Sequence, residues 1–230
     1  MKRAFVLGGS TYLGRAVVGA LVDAGVAVAA TARRPTDLPG AQMVALDAAD
    51  GAAVRRTFAA LCAEHGAPEV FVHCLTVGRP RALAEITDDE WREAHEVNVR
   101  SAFLACQELA PRMAERGGGD LILTAALDGI QPVPAPAHFA ASQAALLGLT
   151  RALAKELGPA GVRINLVVLG VLEGGVASTL PAPLLESYRR FSALGRAGTA
   201  EEVARAVRWL ALENRYMTGQ IVSLLSLIHI

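Results

Sequence analysis

The distribution of apolar residues along the chain predicts seven short strands separated by longer amphipathic segments. The strand segments are continuously apolar instead of alternating, which indicates burial on both faces, as in a parallel sheet covered by helices. The repeated strand and helix order predicts a doubly wound α/β fold with a mostly parallel sheet of seven strands. The predicted strands are Ala4 to Leu7, Ala27 to Thr31, Gln42 to Leu46, Val70 to Cys74, Leu121 to Thr124, Val162 to Val168 and Gln220 to Ser223.

The chain shows no shift of composition and no linker, so we expect a single domain over residues 1–223. Helical spacing is evident at Leu184 to Phe191 and Ala200 to Leu212. The segment Gly174 to Pro183 is rich in Gly, Pro and small residues, which is typical of a mobile flap over a pocket. Residues 224–230 are mostly apolar, and two interpretations of them stay open: a non-native tail or a buried terminal strand.

Composition limits the partners that the chain can bind. Twenty-two Lys plus Arg balance 22 Asp plus Glu, so no basic field attracts nucleic acid or an anionic membrane. Cys62, Cys74 and Cys106 lack the spacing of a zinc site, so no metal site is predicted, and small buried side chains are the expected role. The apolar run Ile164 to Leu172 is too short to span a bilayer. We therefore expect a cytoplasmic protein with a small-molecule ligand.

A glycine-rich loop follows the first predicted strand and leads into a helix that begins near Arg15. Its glycines permit a tight turn and close backbone approach, while the helix N-terminus offers free N–H groups to a pyrophosphate. This context predicts a Rossmann-type dinucleotide site, although a purely structural turn is the alternative. The predicted binding residues in the loop are Gly8, Ser10, Thr11, Tyr12, Leu13 and Gly14.

The end of the second strand bears on the choice of cofactor. Enzymes that prefer NAD usually carry an acidic residue near this point, whereas an Arg pairs with the additional phosphate of NADP. Here Ala32 is followed by Arg33, so NADP(H) is favoured and NAD(H) is the alternative. The other interpretation is that Arg33 and Arg34 are solvated loop charges.

These features and several further motifs resemble the short-chain dehydrogenase/reductase family over nearly the full chain. The resemblance implies that Asp47 meets the adenine, that Asn98 is a catalytic Asn, and that Tyr12 sits near the phosphates. The motifs that carry it are Leu46-Asp47, Val97-Asn98-Val99, the segment Gly161 to Asn165, the segment Leu194 to Val203, and Thr218-Gly219-Gln220.

The same resemblance exposes departures in the catalytic centre. The family uses a Ser, a Tyr that exchanges the proton and a Lys that lowers the Tyr pKa, but Ala126, Phe139 and Gln143 occupy those positions. A phenyl ring has no ionisable hydrogen and an amide has no positive charge. The sequence therefore predicts a protein related to carbonyl and alcohol oxidoreductases that binds cofactor and is catalytically impaired, a possible pseudoenzyme.

Changes also affect the nicotinamide end of the predicted site. Leu169-Gly170 replaces a Pro-Gly beside the nicotinamide, and Gly174 stands where a Thr often binds the carboxamide. His73 begins the segment that replaces the family's Asn-Asn-Ala-Gly. Gly170 and His73 are retained as cofactor contacts, and the adenine end is expected to bind better than the nicotinamide end.

Two histidines offer an alternative in which the protein is active with a different proton donor. His73 ends a strand, where α/β sheets place their ligands, and His138 adjoins Phe139. Neighbouring helical residues point about 100° apart, so His138 is not expected to reach the position of the family's Tyr without rearrangement. A partly exposed helix or loop histidine is the favoured interpretation. Asn98 has a structural alternative, in which it bridges backbone groups within a helix.

The resemblance also implies a homodimer or homotetramer. In the family, the long helices that match Glu96 to Met113 and Ala137 to Gly158 pack subunits together. Small and apolar residues in the second helix suit an interface as well as intramolecular packing.

Overall fold

A computed structural model describes residues 1–131 and 134–226 of the chain. It contains one parallel sheet of seven strands in the order β3-β2-β1-β4-β5-β6-β7, as the apolar pattern predicts. The strands are β1 (Arg3–Leu7), β2 (Ala27–Ala32), β3 (Ala41–Ala45), β4 (Val70–His73), β5 (Gly119–Ala126), β6 (Val162–Leu169) and β7 (Ile221–Leu224). The helices are α1 (Tyr12–Val22), α2 (Gly51–His65), α3 (Asp88–His95), α4 (Ser101–Glu115), α5 (Ala137–Leu157), α6 (Ala182–Phe191) and α7 (Ala200–Leu212).

Helices cover both faces of the sheet, and successive strand residues contribute to opposite cores. Phe5 packs with apolar residues of α2, α4 and α5 on one face, whereas Val6 packs with α1 and α7 on the other. Both side chains are fully buried, because neighbouring residues of a strand point to opposite sides. The doubly wound prediction is confirmed.

Several boundaries differ from the predicted ones. Helix α1 begins at Tyr12, earlier than Arg15, because the Thr11 side chain caps it by accepting a hydrogen bond from the Gly14 amide at 2.9 Å. The segment predicted as one helix from Glu96 has its first turn in a π-helical conformation, Glu96–Arg100, which joins α3 to α4.

The last strand extends one residue beyond the predicted end of the domain. Leu224 pairs with Leu169 of β6, and the Ser226 hydroxyl accepts a hydrogen bond from the Leu194 amide at 2.7 Å. The rest of the predicted tail, residues 227–230, lies outside the described part of the chain. Within the described part, every helix is too short or too polar to traverse a bilayer.

Candidate functional site

A cleft of about 1140 Å³ opens along the carboxyl ends of the strands. The sheet order places β1 beside β4, so the chain reverses direction across the sheet between these two strands. Such a reversal leaves a crevice, which is where open α/β sheets bind ligands. Thr11 follows β1 and Cys74 follows β4, both line the cleft, and the Thr11 hydroxyl donates a hydrogen bond to the Cys74 carbonyl oxygen at 3.1 Å.

The glycine loop has the close packing that a phosphate cradle requires. A side chain on Gly14 would collide with the carbonyl oxygen of Gly8, whose φ of 93° is in the region that favours glycine. The Thr11 cap satisfies only the third amide of the helix. Within residues 1–131 and 134–226, the Tyr12 and Leu13 amides have no hydrogen-bond acceptor, and both residues line the cleft. These residues fit an anionic group at the helix N-terminus.

The side chains expected at the adenine end lie at the ends of β2 and β3. Arg33 is exposed, lines the cleft and forms no ion pair with any described residue. Asp47 lies beyond β3, where its carboxylate accepts a hydrogen bond from the Ala49 amide at 3.0 Å. Arg33 is thus free to meet a phosphate, whereas Asp47 is outside the cleft lining.

The Tyr12 ring contacts a segment that is distant in the sequence. A Cβ on Gly174 would be 2.8 Å from Cε2 of the Tyr12 ring, and a Cβ on Gly175 would be 3.4 Å from Tyr12 Cβ. The ring therefore rests on the segment that follows β6, the segment expected to meet the nicotinamide carboxamide. Tyr12 thus belongs to the start of α1 through its backbone and contacts the segment after β6 through its ring.

Phe139 and Ala126 both line the cleft, where the family resemblance puts its proton donor and its Ser. The Phe139 ring is only 7% exposed and lies against Gly78, where an added Cβ would collide with the ring carbons. Neither side chain has a polar atom. The cleft therefore has a hydrocarbon surface at both positions.

Gln143 is fully buried and its amide is saturated by hydrogen bonds. Its Oε1 accepts from the Ala126 amide at 2.8 Å, and its Nε2 donates to the Thr76 hydroxyl at 3.2 Å and to Ser142 Oγ at 3.4 Å. A Lys at this position offers donors only, so it could not accept from the Ala126 N–H. The amide thus replaces a charged group by a static link between β5 and α5.

Asn98 is also buried, and it bridges backbone groups as in its structural alternative. Its Oδ1 accepts from the Val77 amide at 2.7 Å, while its Nδ2 donates to the Val77 carbonyl at 2.8 Å and to Ser142 Oγ at 2.9 Å. Ser142 Oγ donates in turn to the Phe139 carbonyl at 2.7 Å. Asn98 and Gln143 therefore share one hydrogen-bond network, and neither lines the cleft.

The two histidines differ in their access to the cleft. His73 is fully buried, and its Nε2 donates to Ser101 Oγ at 3.2 Å, because the Ser101 hydroxyl hydrogen is given to the Val97 carbonyl. Burial lowers the pKa of His73 to about 4, an effect that the Val97 carbonyl partly opposes. Its side chain does not line the cleft.

His138 is 1% exposed, so the expectation of a partly exposed histidine is wrong. The first turn of α5 packs the imidazole into the wall of the cleft beside Phe139. Its Nδ1 has no hydrogen-bond partner among the described residues. Of the two candidate proton donors, only His138 reaches the cleft.

The predicted site residues divide into two sets. Those that line the cleft are Thr11, Tyr12, Leu13, Arg33, Ala126, His138, Phe139 and Gly170. Those that do not line it are Gly8, Ser10, Gly14, Asp47, His73, Asn98 and Gln143. Gly8 and Gly14 permit the tight turn of the loop. Asn98 and Gln143 are buried behind the cleft and form hydrogen bonds to residues of its lining.

Three polar residues of the site were missed by sequence reasoning. Tyr188 lines the cleft with its hydroxyl against Gly170, and burial raises the pKa of this phenol, while the Val171 amide partly offsets the rise. Asp128 also lines the cleft, and burial raises the pKa of its carboxyl. Ser142 is the hub of the buried network. Only Tyr188 could have been found from the sequence, because it is a polar residue in the helix that follows the segment Gly174 to Pro183.

Chemically, the cleft can bind an elongated ligand, and it presents hydrocarbon at Ala126 and Phe139. The open amides of α1 and the free guanidinium of Arg33 suit phosphates, whereas the far end is mostly apolar. Within the described residues, no three or more His, Cys, Asp and Glu side chains are grouped to hold a metal ion.

Both the sequence and the fold of this chain are similar to those of known proteins. A family model described as "Enoyl-(Acyl carrier protein) reductase" matches residues 12–224. The 3-oxoacyl-[acyl-carrier-protein] reductase FabG of Thermotoga maritima is 30% identical over 162 residues, 70% of this chain and 66% of that protein. The Escherichia coli FabG is 29% identical over 231 residues, 95% of this chain and 93% of the relative.

Solved structures share the same architecture. A short-chain dehydrogenase/reductase from Serratia marcescens has a TM-score of 0.89 and 30% identity, with 97% of this chain and 96% of that chain covered. The structure titled "ElxO with NADP Bound" has a TM-score of 0.88 at 18% identity, covering 96% of both chains, and this likeness shows the fold alone.

Proposed function

Because the chain belongs to the short-chain dehydrogenase/reductase family of oxidoreductases, we propose that it binds NADP(H) across the cleft but has lost the family's proton relay. The adenosine would lie at the β2 end and the nicotinamide at the β5 and β6 ends. Bound NADPH would supply a hydride. The open amides of Tyr12 and Leu13 support the pyrophosphate position, and the free Arg33 supports the additional phosphate.

One observation carries the proposed impairment. Phe139 presents hydrocarbon to the cleft where the relay requires a phenol, and the Gln143 amide is committed to the Ala126 N–H. Loss of one preorganised donor costs roughly 10²–10³ in turnover, and losses within one unit are not additive. We therefore expect a ligand-binding protein with residual or no reductase activity.

A direct test compares binding with turnover. Wild-type protein should enhance NADPH fluorescence on titration, yet leave NADPH absorbance unchanged with a panel of ketones and 3-oxoacyl thioesters. The thioesters are included because 3-oxoacyl reductases are among the relatives. Rapid wild-type turnover would overturn the proposal, and absent NADPH binding would overturn its cofactor half.

A rescue variant examines whether the cleft is intact. The triple change Ala126→Ser, Phe139→Tyr and Gln143→Lys should gain turnover over the wild type. Phe191→Tyr is the matched control, because Phe191 also lines the cleft but lies on α6, away from the relay positions. Circular dichroism should accompany the assay to check that the variant is folded. The change Gln143→Lys removes the acceptor of the backbone N–H of residue 126.

A second candidate function is an active oxidoreductase with His138 as the proton donor. It is favoured by the buried Nδ1 that has no partner in the described structure and by the position of the ring in the cleft wall. His138→Gln should then abolish any wild-type turnover. The other proposed donor, His73, is less favoured because its ring faces Ser101. Full activity of His138→Gln would reject this candidate.

We also infer a homodimer or homotetramer formed through α4 and α5. The support is the family resemblance together with Phe103, an α4 residue that is 40% exposed. Light scattering with size-exclusion chromatography should give a multiple of the 24.0 kDa chain mass, and Phe103→Glu should reduce it. A monomeric wild type would refute this inference.

A further inference from the structure

The Tyr12 ring lies between the start of α1 and the segment that follows β6. Tyr12 is the first residue of α1, yet its ring carbons would be 2.8–3.0 Å from a Cβ on Gly174. It also lies beside Gly175, and all three residues line the cleft. The ring thus connects the helix after β1 with the segment after β6. This span fits only because residue 174 has no side chain.

The sheet order makes this contact a barrier along the cleft. Arg33 follows β2 and Gly170 follows β6, and four strand spacings separate these strands, about 19 Å at 4.7–4.9 Å per strand. Tyr12 follows β1, which lies between them. A ligand that extends from Arg33 to Gly170 therefore passes the Tyr12 ring, whereas one that ends at the glycine loop does not.

We infer that Tyr12 divides the cleft into an open adenosine-phosphate compartment and a nicotinamide compartment that is closed while the ring lies on Gly174. This inference rests on the proposed NADP(H) binding and adds a specificity determinant to it. Adenosine 2′,5′-bisphosphate fits the first compartment alone. NADPH needs both, so it binds in full only when the ring is displaced.

The binding test compares these two ligands in variants of Tyr12. If the displaced ring position is populated about one tenth of the time, Tyr12→Gly should tighten NADPH about tenfold. The Kd of adenosine 2′,5′-bisphosphate should change less than about twofold in Tyr12→Gly, because this ligand does not need the displaced ring position. Tyr12→Phe keeps the ring, so it should not show the tightening expected of Tyr12→Gly, because the ring, and not its hydroxyl, closes the compartment. Tyr216→Gly is the control, since Tyr216 is 95% exposed and away from the cleft.

A stability cycle tests the ring contact without any ligand. Gly174 has an extended backbone with φ of −147°, which any residue adopts, and the three atoms nearest to an added Cβ all belong to the Tyr12 ring. In the wild-type background, Gly174→Thr should lower Tm. In the Tyr12→Gly background, the same change should leave Tm within about 1 °C, the shift expected for a change of a few tenths of a kcal/mol in a chain of this size. Equal losses in both backgrounds would overturn the contact.

The outcomes separate this inference from the proposed function. Tight binding of both ligands to wild type, with an unchanged ratio of their Kd values in Tyr12→Gly, would overturn the barrier and leave NADP(H) binding intact. Failure of wild type and Tyr12→Gly to bind either ligand would overturn the proposed function itself. A ratio that shifts about tenfold in Tyr12→Gly but not in Tyr216→Gly supports the barrier.

Discussion

Replacing Gln143 by Met should destabilise the protein, because the buried Gln143 amide links β5 to α5. Met preserves the unbranched side chain but removes the amide. The change leaves the Ala126 N–H without its acceptor, and it removes the donor to the Thr76 hydroxyl. Gln143 itself is fully buried, whereas its partners Ala126 and Thr76 are half-buried in the wall of the cleft.

The magnitude follows from these hydrogen bonds. An unpaired N–H at a half-buried position costs about 1.5 kcal/mol, in the lower part of the range for buried groups, and loss of a neutral side-chain hydrogen bond adds about 0.5–1.5 kcal/mol. We therefore expect Gln143→Met to lower the free energy of unfolding by about 2–3 kcal/mol. For a chain of this size, that loss corresponds to a decrease of about 4–12 °C in Tm.

Urea denaturation followed by tryptophan fluorescence measures this loss directly. Gln107→Met is the matched control, because Gln107 is exposed on α4 and its hydrogen bond to Arg55 is at the surface. The control should stay within about 0.5 kcal/mol of wild type. If Gln143→Met were as stable as the control, the interpretation of Gln143 as a structural link would be wrong.

Three further predictions concern other parts of the site. Arg33→Ala should weaken the binding of NADPH but not of NADH in titrations. Arg34 does not line the cleft, so Arg34→Ala should leave both affinities unchanged, and equal effects of the two changes would contradict the phosphate role. The pKa of His73 in the folded protein is about 4, below its usual 6.5, so its contribution to the free energy of unfolding is full above pH 6.5 and is lost as pH falls toward 4. His73→Asn should make the free energy of unfolding depend less on pH in urea melts taken across this range. Gly78→Ala should cost about 1–3 kcal/mol by overpacking against Phe139, and calorimetry should find this cost relieved in a Phe139→Ala background.

Much of the site was foreseeable because it depends on strand ends. Parallel strands deliver their carboxyl ends to one edge of the sheet, so a glycine loop after β1 and Arg33 after β2 had to meet the same crevice. The seven strands themselves follow from continuous apolar runs, which are stable only when buried on both faces. The absence of a phenol at Phe139 and of a charge at Gln143 is likewise a property of the residues alone.

Contacts between distant segments were decided only by the tertiary structure. The direction of a side chain depends on what packs around it, so the sequence did not predict that Tyr12 rests on Gly174, 162 positions later. Nor did it separate His138, buried in the cleft wall, from His73, buried beneath it. Residue types and periodicity thus determine the fold and the absence of a phenol at residue 139 and of a charge at residue 143, because these depend on local pattern. The shape of the ligand cleft is set by packing between segments whose proximity only the folded chain establishes.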